Sequence, residues 1–353
     1  MKVLVTGANG LIGCQVVREL LRKGYDVRAF VRETSDLRSL QGLDVELVYG
    51  DILMSETLPR AMKGCGMVFH VAAVFAYWGY DKVGLKTIAG QGTRNVIQAA
   101  AEAGVKKIVL TSSSAVLGSN DEPVPVNENH KMDREEFLPS YVEAKIEQEE
   151  EAFQFARDLG LELVAVCPTI TVGGPDYGLS ESNRIIVSYL KDPFKATWPG
   201  GCNVVSVIDV AKGHVIAGEK GVPGRRYLLG SENLEWAEVH KVISELTGLP
   251  GPLMTANHTS SYLAATAYEL VSYFTGQPPA STRDQAKMVG RYYWYTHDRM
   301  TKLGYKPRPA RQALIEAVSW LVGSSHVPAS LRATINLSED IYRFRNAVQN
   351  ETY

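Results

Sequence analysis

The sequence has no long apolar run, no excess of charge and little cysteine, and each absence excludes a class of protein. No apolar run reaches the roughly 18 residues that a membrane-spanning helix needs. The chain does not begin with a basic segment followed by an apolar one, the pattern of a secretory leader. Its 37 basic and 39 acidic side chains nearly cancel, which argues against nucleic acid or an anionic membrane as a partner. We therefore expect a cytoplasmic protein without an integral membrane segment, acting on a small molecule.

The four cysteines give no sign of a disulfide framework or a metal site. Cys14, Cys65, Cys167 and Cys202 lie far apart and lack the close spacing of metal ligands. Three of them lie in runs typical of buried helices or strands. We expect free thiols, as in a reducing compartment, and no bound metal.

What the sequence does contain is a glycine turn at its start. An apolar run at 2–6 is followed by Gly7, Gly10 and Gly13, and apolar residues then recur at helical spacing over 14–23. Such a turn points backbone N–H groups at the helix start, where the helix dipole favours a phosphate. The alternative is a glycine-rich corner without a ligand. Because the turn follows a strand within a βαβ pattern, it predicts a dinucleotide-binding site.

Strand and helix patterns alternate along the first half of the sequence, which favours an α/β fold with a doubly wound parallel sheet. The segment 203–230 has the pattern of strand, helix and strand, and we expect it to return to the sheet. We predict a dinucleotide-binding domain at 1–170, a smaller C-terminal substrate lobe at 171–202 and 231–321, and an extension at 322–353. The predicted strands are 2–6, 26–31, 45–49, 67–72, 107–111 and 161–166, and the first helices are 11–23, about 56–63 and about 81–103.

The end of the second strand favours NADP(H) over NAD(H). A cofactor without a 2′-phosphate favours an acidic side chain about 20 residues after the glycines, but Arg32 lies there. Its guanidinium can hold a 2′-phosphate through two hydrogen bonds, with Arg28 and Ser35 as further donors. The alternative is a solvated arginine, which leaves NAD(H) open.

Two further strand ends carry candidates for the cofactor site. Asp51 can accept a hydrogen bond from the adenine amino group while Ile52 packs on the ring, although Asp51 can equally cap a helix. The small residues Val71, Ala72 and Ala73 leave room for the nicotinamide ribose.

An aromatic cluster follows the fourth strand. Phe75, Tyr77 and Trp78 leave the carboxyl edge of the sheet, where ligands bind in open α/β folds. They form either a substrate wall or a packed corner. The segment 173–202 is rich in glycine, proline and polar residues, contains Tyr177, and is expected to form part of a lid or of the substrate lobe.

Tyr141 and Lys145 lie four residues apart on one face of a predicted helix, which follows a serine-rich strand end at 111–114. An ammonium beside a phenol stabilises the phenolate and lowers the pKa of the phenol from about 10, so that the phenol can transfer protons near neutral pH. A serine hydroxyl at the strand end can hold a substrate oxygen. Each pattern alone is common, but together with the glycine turn they predict a catalytic site.

Seven segments carry a family resemblance: TGANGLIG at 6–13, VR at 31–32, GD at 50–51, HVAA at 70–73, TSS at 111–113, Tyr141 with Lys145, and VIDVA at 207–211. In these segments the chain resembles the extended short-chain dehydrogenases/reductases. It resembles the dihydroflavonol-reductase-like group and the related hopanoid-associated sugar epimerases/reductases. The resemblance covers residues 1 to about 321 and implies a Rossmann-type fold and an NAD(P)-dependent oxidoreductase.

The resemblance also implies roles for single residues. It places the catalytic hydroxyl on Ser113, with Ser112 and Ser114 as second choices, beside Tyr141 as general acid/base and Lys145 as the cation that binds the ribose. The remaining implied residues are Asn9, Leu11, Ile12, Pro168 and Ile170 for the cofactor, together with the three glycines. Apart from the resemblance, we name Ser114, Thr169 and Tyr177 as substrate candidates.

One position departs from the family pattern. The family carries an asparagine three residues before Gly92, where it helps to maintain a water path to the catalytic lysine, and this sequence has Ala89. The departure concerns the proton relay rather than hydride transfer.

Two helical patterns lie near the C-terminus. Residues 260–274 form an apolar helix that is too short to span a bilayer. We expect it to pack in the core, in preference to roofing an apolar pocket or lying on a membrane surface. Residues 337–349 form a predicted amphipathic helix, for self-association in a homodimer or for covering the site.

The leading hypothesis is an enzyme that interconverts a ketone and a secondary alcohol with a nicotinamide cofactor. The alternatives are an epimerase or isomerase that keeps its NAD(P) bound and acts on a sugar or related metabolite, and a cofactor-binding protein without catalysis. The aromatic and apolar residues at 75–78 and 262–274 favour a bulky, ring-bearing or lipid-like substrate. A nucleotide sugar would require several basic residues for its diphosphate.

Overall fold

The computed structural model describes most of the chain, and the fold below refers to those residues. They are 1–72, 84, 86–130, 132, 139–276, 279 and 281–351, without the side chains of 349–351.

The centre of the fold is a seven-stranded sheet in which every pair of neighbours is parallel. Its central strands are short apolar runs buried on both faces, as in a sheet covered by helices on each side, whereas the edge strand Glu46–Tyr49 is largely exposed. The order of the sheet is β3-β2-β1-β4-β5-β6-β10, so it reverses between β1 and β4, where ligands bind in such folds. The strands are β1 (Lys2–Thr6), β2 (Asp26–Val31), β3 (Glu46–Tyr49), β4 (Met67–His70), β5 (Lys107–Thr111), β6 (Glu162–Pro168), β7 (Ile170–Val172), β8 (Ala196–Thr197), β9 (Gly201–Ser206), β10 (Arg226–Leu229), β11 (Glu232–Glu235), β12 (Met254–Thr255) and β13 (Tyr292–Tyr293).

Helices cover both faces of this sheet. On one face α1 and α6 pack through an apolar cluster that includes Val17, Leu20 and Val215. On the other face α2, α3 and α4 pack through a second cluster. The helices are α1 (Leu11–Arg22), α2 (Leu58–Met62), α3 (Gly92–Glu102), α4 (Ser140–Asp158), α5 (Glu181–Lys191), α6 (Val207–Lys220), α7 (Trp236–Thr247), α8 (His258–Thr275), α9 (Arg283–Ala286), α10 (Asp298–Thr301), α11 (Ala310–Gly323), α12 (Ala329–Arg332) and α13 (Glu339–Glu351).

A smaller sheet lies beside the central one, and it corrects one prediction. The segment 203–230 was expected to return to the central sheet; its helix α6 packs on that sheet and β10 joins it, but β9 does not. Strand β9 pairs instead with β7, β11 and β13. In the smaller sheet β9 is buried on both faces, as the strands inside the central sheet are. Its burial therefore does not distinguish the two sheets. The choice between them depends on its distant neighbours.

The helix predicted at 260–274 forms as α8, but it does not pack in the core. Only Ala265 and Ser272 are buried, whereas Tyr273 and Phe274 are 81% and 78% exposed. The prediction of core packing is therefore wrong. An apolar composition favours burial, but here too few neighbouring elements pack against the helix to cover it all round.

The C-terminal extension packs on the smaller lobe of its own chain. Ile341 in α13 is fully buried in the cluster that contains α11, and the Arg345 guanidinium donates to Ser319 O at 2.7 Å. The predicted amphipathic helix thus exists, and its buried face covers α11.

The part of the chain that the structure describes contains no helix that is long and apolar enough to cross a membrane. The four cysteines are free and buried, as the sequence predicts.

Candidate active site

The three glycines of the turn between β1 and α1 serve different purposes. Gly7 has a φ of +64°, and a Cβ there would lie 2.8 Å from the backbone of Ala72. A Cβ on Gly13 would collide with the carbonyl oxygen of Gly7. Gly10 has a φ of −75°, and its nearest neighbour would lie at an ordinary 3.4 Å. Gly7 and Gly13 are therefore required by the turn itself, whereas Gly10 leaves open space at the helix start.

The start of α1 offers backbone donors to an anion. The first helical amide with a backbone acceptor is that of Cys14, which donates to Gly10 O at 2.9 Å. Within the described residues, no side chain caps this helix end. The amides of Leu11, Ile12 and Gly13 precede that bond, and first-turn amides of this kind bind anions. Together with the open space at Gly10 they form a cradle that fits a dinucleotide pyrophosphate.

The loop after β2 places two arginines differently. Arg32 is exposed, and its guanidinium has no partner among the described residues, while its backbone N–H donates to Ser35 Oγ at 3.1 Å. Arg38 pairs with Asp36 and lies 4.2 Å above the ring of Tyr177. Asn9 ties the loop to the glycine turn by donating to Asp36 O at 3.4 Å. Arg32 is thus the guanidinium that remains open to a ligand.

Arg28 does not lie with Arg32, which corrects the prediction that it helps to bind a phosphate. Its side chain is buried under α2, where it donates to Ala61 O at 2.6 Å and Lys63 O at 3.0 Å. It also pairs with Glu46 at 3.0 Å. Arg28 therefore satisfies the last carbonyl groups of α2, a common use of a cation at a helix end.

The candidates for the adenine and ribose have clear local contacts. Asp51 Oδ1 accepts from the amide of Leu53 at 2.9 Å and so forms a local turn, which is not the helix cap that the sequence left open. Ile52 is buried against Gly92, where a Cβ would lie 2.7 Å from its side chain. Val71 and Ala72 are half-buried beside the glycine turn. Ala73 lies outside the described residues.

Tyr141 and Ser113 meet at the carboxyl edge of the sheet. The Ser113 hydroxyl accepts from the amide of Ala115 at 3.2 Å, and it is also hydrogen-bonded to Tyr141. Burial raises the pKa of Tyr141 to about 12, and the hydrogen bond from Ser113 opposes this rise. Ser114 is hydrogen-bonded to Tyr295 instead. Of the predicted serines, Ser113 is thus the one that the structure describes in contact with Tyr141.

Lys145 is buried one turn further along α4. Its ammonium donates to Thr111 O at 3.2 Å and to Gln148 Oε1 at 2.9 Å. Burial lowers the pKa of Lys145 to about 8. The sequence predicts that Lys145 lowers the pKa of Tyr141, but burial dominates and the pKa is raised. At neutral pH Tyr141 therefore keeps its proton, and Lys145 is largely charged.

Gln148 leads into a chain of buried polar groups that the sequence analysis missed. Its Nε2 donates to Thr93 Oγ1 at 2.6 Å, and Thr93 Oγ1 lies 3.1 Å from His70 Nε2. His70 Nδ1 lies 2.8 Å from Thr6 Oγ1, which also accepts from the amide of Ala72 at 3.1 Å. The available signal was a polar residue at the end of each of two apolar strands, β1 and β4. A second signal was a glutamine on the helical face of Tyr141.

Ala89, the departure from the family pattern, lies in the π turn Thr87–Gln91 ahead of α3. The side-chain acceptor that the structure gives to Lys145 is Gln148.

The structure does not bring the predicted substrate residues together in one described group. Phe75, Tyr77 and Trp78 lie outside the described residues. Thr169 is buried and donates to Asn203 Oδ1 at 2.9 Å, so its hydroxyl proton is not free for a substrate. Tyr177 lies under Arg38 and edge to face with Trp320 at 5.6 Å.

Pro168 is the last residue of β6, and Ile170 is the first residue of β7. They lie at the same carboxyl edge of the sheet as Ser113. Their contact with a nicotinamide stays a prediction.

The comparisons with known sequences agree with this geometry. The model of the NAD dependent epimerase/dehydratase family matches residues 3–230. The "Putative dihydroflavonol 4-reductase" of Synechocystis is 33% identical over 92% of this chain and 95% of its own. Cinnamoyl-CoA reductase 1 of rice (Oryza sativa subsp. japonica) is 32% identical over 92% of both chains. Sterol demethylase protein B of Methylococcus capsulatus is 30% identical over 91% of this chain and 98% of its own.

Solved structures show the same fold. The crystal structure of gox2253 has a TM-score of 0.81 and 33% identity, over 92% of this chain and 99% of that one. The UDP-glucose 4-epimerase of Thermus thermophilus, solved with NAD, has a TM-score of 0.71 at 20% identity, over 92% of this chain and 100% of that one. The second likeness concerns the fold alone.

The family match covers more than half of the chain, and relatives at 30% identity or more span nine-tenths of it. The predicted fold, family and enzyme class are thereby confirmed. The protein belongs to the NAD dependent epimerase/dehydratase family, as an NAD(P)-dependent oxidoreductase of the extended short-chain dehydrogenase/reductase type.

Proposed function

We propose that the protein is a reductase that uses NADPH to convert a ketone of a bulky, apolar or ring-bearing molecule into a secondary alcohol, and that also catalyses the reverse reaction. The observation that carries this proposal is the hydrogen bond between Tyr141 and Ser113 at the carboxyl edge of the sheet, with the Lys145 ammonium one helical turn away. The relatives named as reductases support the direction of the chemistry.

The proton chemistry follows from the state of each side chain. A bound nicotinamide cofactor supplies the hydride. Tyr141 is protonated at neutral pH, because burial raises its pKa to about 12, and it donates that proton to the carbonyl oxygen. Ser113 donates a second hydrogen bond to the same oxygen and stabilises the negative charge that develops there. Lys145 binds the ribose hydroxyls, and its charge favours the phenolate that Tyr141 leaves behind.

Different parts of the site hold different parts of the cofactor. The amides at the start of α1 bind the pyrophosphate, and the open guanidinium of Arg32 binds the 2′-phosphate. Asp51 and Ile52 contact the adenine. Val71 and Ala72 border the nicotinamide ribose, with Pro168 and Ile170 beside the nicotinamide.

The proposed substrate class rests on the sequence. The aromatic cluster at 75–78 follows the strand whose end borders the cofactor, and apolar residues recur over 262–274. Such residues suit a ring-bearing or lipid-like compound rather than a nucleotide diphosphate.

Incubation of the protein with NADPH and a panel of ketones tests the proposal. A reductase oxidises NADPH in proportion to the alcohol formed, and the Tyr141→Phe variant serves as the control. An epimerase with a bound cofactor inverts a stereocentre with no net change in NADPH absorbance. That second outcome, or equal turnover by Tyr141→Phe, would overturn the proposal.

A further inference from the structure

Gln148 is a buried side chain that the proposed mechanism does not use. It is 3% exposed and lies on the same face of α4 as Tyr141 and Lys145. A buried amide is costly unless its oxygen and nitrogen both find partners. Both do so here, with Lys145 on one side and Thr93 on the other.

The hydrogen-bonding groups of Lys145 and Thr93 determine the orientation of the Gln148 amide. An ammonium only donates hydrogen bonds, so the Gln148 oxygen must face Lys145 and its nitrogen must face Thr93. Thr93 is bonded in turn to His70, and His70 to Thr6. A neutral imidazole donates at one nitrogen and accepts at the other, so it can join the two threonines in either tautomer. Burial lowers the pKa of His70 to about 3, and His70 is therefore neutral in the working range of pH.

The chain restricts the Lys145 ammonium. Two of its three N–H groups are taken, one by Thr111 O and one by Gln148 Oε1. The ammonium is tetrahedral, so fixing two N–H directions also fixes the third. The described residues provide no acceptor for that third N–H, which leaves it for a ligand hydroxyl. Without Gln148, rotation about the Cε–Nζ bond would be restrained by Thr111 O alone.

We propose that Gln148 is a positioning residue, held by Thr93 and His70, that directs the free N–H of Lys145 toward the cofactor ribose. This inference rests on the proposed role of Lys145 in the reductase. It assigns to Gln148 a role in cofactor binding that depends on the charge of Lys145.

The groups that face Lys145 allow its charge to be followed by pH. They are Tyr141 and Glu149 on α4, Cys167 on β6 and His70 on β4. Burial raises the pKa values of Tyr141 and Cys167 and lowers that of His70, and Glu149 pairs with Arg226. Lys145, whose pKa burial lowers to about 8, is therefore the group in this cluster that we expect to titrate between pH 7 and 10.

The test is the affinity for NADPH between pH 7 and 10, measured by calorimetry for wild type and variants. Wild-type affinity is expected to fall above about pH 8, as Lys145 loses its charge. Gln148→Glu places a carboxylate against the ammonium and should move this fall up by about one pH unit or more. Gln148→Leu removes the acceptor, and should move the fall down and weaken binding at pH 7.5 several-fold.

Three controls keep the result specific. Lys145→Ala should abolish the alkaline fall. Gln154→Leu changes an exposed glutamine on the same helix and should leave the profile unchanged. At the far end of the amide, Thr93→Val should move the fall in the same direction as Gln148→Leu, whereas Thr93→Ser keeps the hydroxyl and should restore the wild-type profile.

Opposite shifts in the Glu and Leu variants support the inference. Shifts in one direction, or none, overturn it, as does a wild-type profile that lacks the alkaline fall. Because the measurement needs no substrate, it is independent of the ketone panel. A protein that reduces no ketone but shows the opposite shifts would overturn the proposed reaction and leave the role of Gln148 standing.

Discussion

Tyr141 is a buried phenol that is hydrogen-bonded to a serine, and this environment determines its protonation state. Burial raises its pKa to about 12, while the hydrogen bond to Ser113 opposes the rise. The neutral phenol is the form that can donate a proton to a carbonyl oxygen. At neutral pH Tyr141 is therefore in the protonated form that the proposed reduction requires.

Tyr141→Phe is expected to lower the rate of NADPH-dependent ketone reduction by about a hundredfold or more, since general acid catalysis typically contributes about 10²- to 10⁴-fold. NADPH affinity should change little, because only the hydroxyl is lost. Steady-state kinetics and calorimetry on the same preparation check both parts. Activity within tenfold of wild type would exclude Tyr141 as the acid.

Arg32 decides the expected choice of cofactor. Its guanidinium is exposed and without a partner among the described residues, and a charge-assisted hydrogen bond contributes roughly 1.5–3 kcal/mol. At about 1.4 kcal/mol per factor of ten, Arg32→Ala should weaken NADPH binding by about ten- to a hundredfold. NADH binding should stay within a few-fold.

Dissociation constants of both cofactors for wild type and Arg32→Ala provide the measurement. Equal losses for NADPH and NADH would mean that Arg32 stacks on the adenine instead. A wild-type preference for NADH would show that the interpretation of this strand end is wrong. Arg28→Lys is a useful contrast, because the buried Arg28 guanidinium donates to carbonyl groups at the end of α2. That change should lower the stability of the protein and leave its preference between NADPH and NADH unchanged.

At the scale of elements, the glycines of the turn between β1 and α1 have different roles: some are required by the fold, and Gly10 is expected to be required by the ligand. Gly10→Val should leave the protein folded, because a Cβ there meets no close neighbour, and should abolish NADPH binding by filling the pyrophosphate cradle. Gly13→Ala should instead destabilise the fold, because its Cβ would collide with the carbonyl of Gly7. Thermal unfolding and calorimetry on both variants distinguish the two effects. Retained NADPH binding by Gly10→Val would rule out this position for the pyrophosphate.

At the scale of the whole molecule, three buried histidines link stability to pH. Burial lowers the pKa of His70 to about 3 and those of His214 and His240 to about 4, against an ordinary value of 6.5. Below pH 6.5 the unfolded chain therefore binds protons that the folded chain does not. The free energy of unfolding should fall as the pH drops from 6.5 to 5, with a slope of up to about 1.4 kcal/mol per pH unit for each histidine.

Urea unfolding at several pH values between 7.5 and 5 measures this slope. His214→Gln should reduce it, because one of these buried groups no longer titrates. His130→Gln, at an exposed position, should leave it unchanged. A free energy of unfolding that does not fall over this interval would contradict the prediction.

The sequence by itself determined the features that depend on near neighbours in the chain. The glycine turn, the alternation of strands and helices, and the shared helical face of Tyr141 and Lys145 follow from periodicity and turn chemistry within about ten residues. Those patterns were sufficient to predict the fold class and a dinucleotide site, whereas the family was predicted from the resemblance of seven sequence segments. The roles of the site residues in binding and catalysis stay predictions.

Only the tertiary structure decided the features that join distant parts of the chain. They include the sheet that β9 enters, the burial of Arg28 under α2 and the exposure of α8. The link from Thr111 through Lys145, Gln148 and Thr93 to His70 and Thr6 joins three strands and two helices. Each outcome depends on which surfaces pack together, and no local pattern encodes that, because the same strand or helix can be buried against several neighbours.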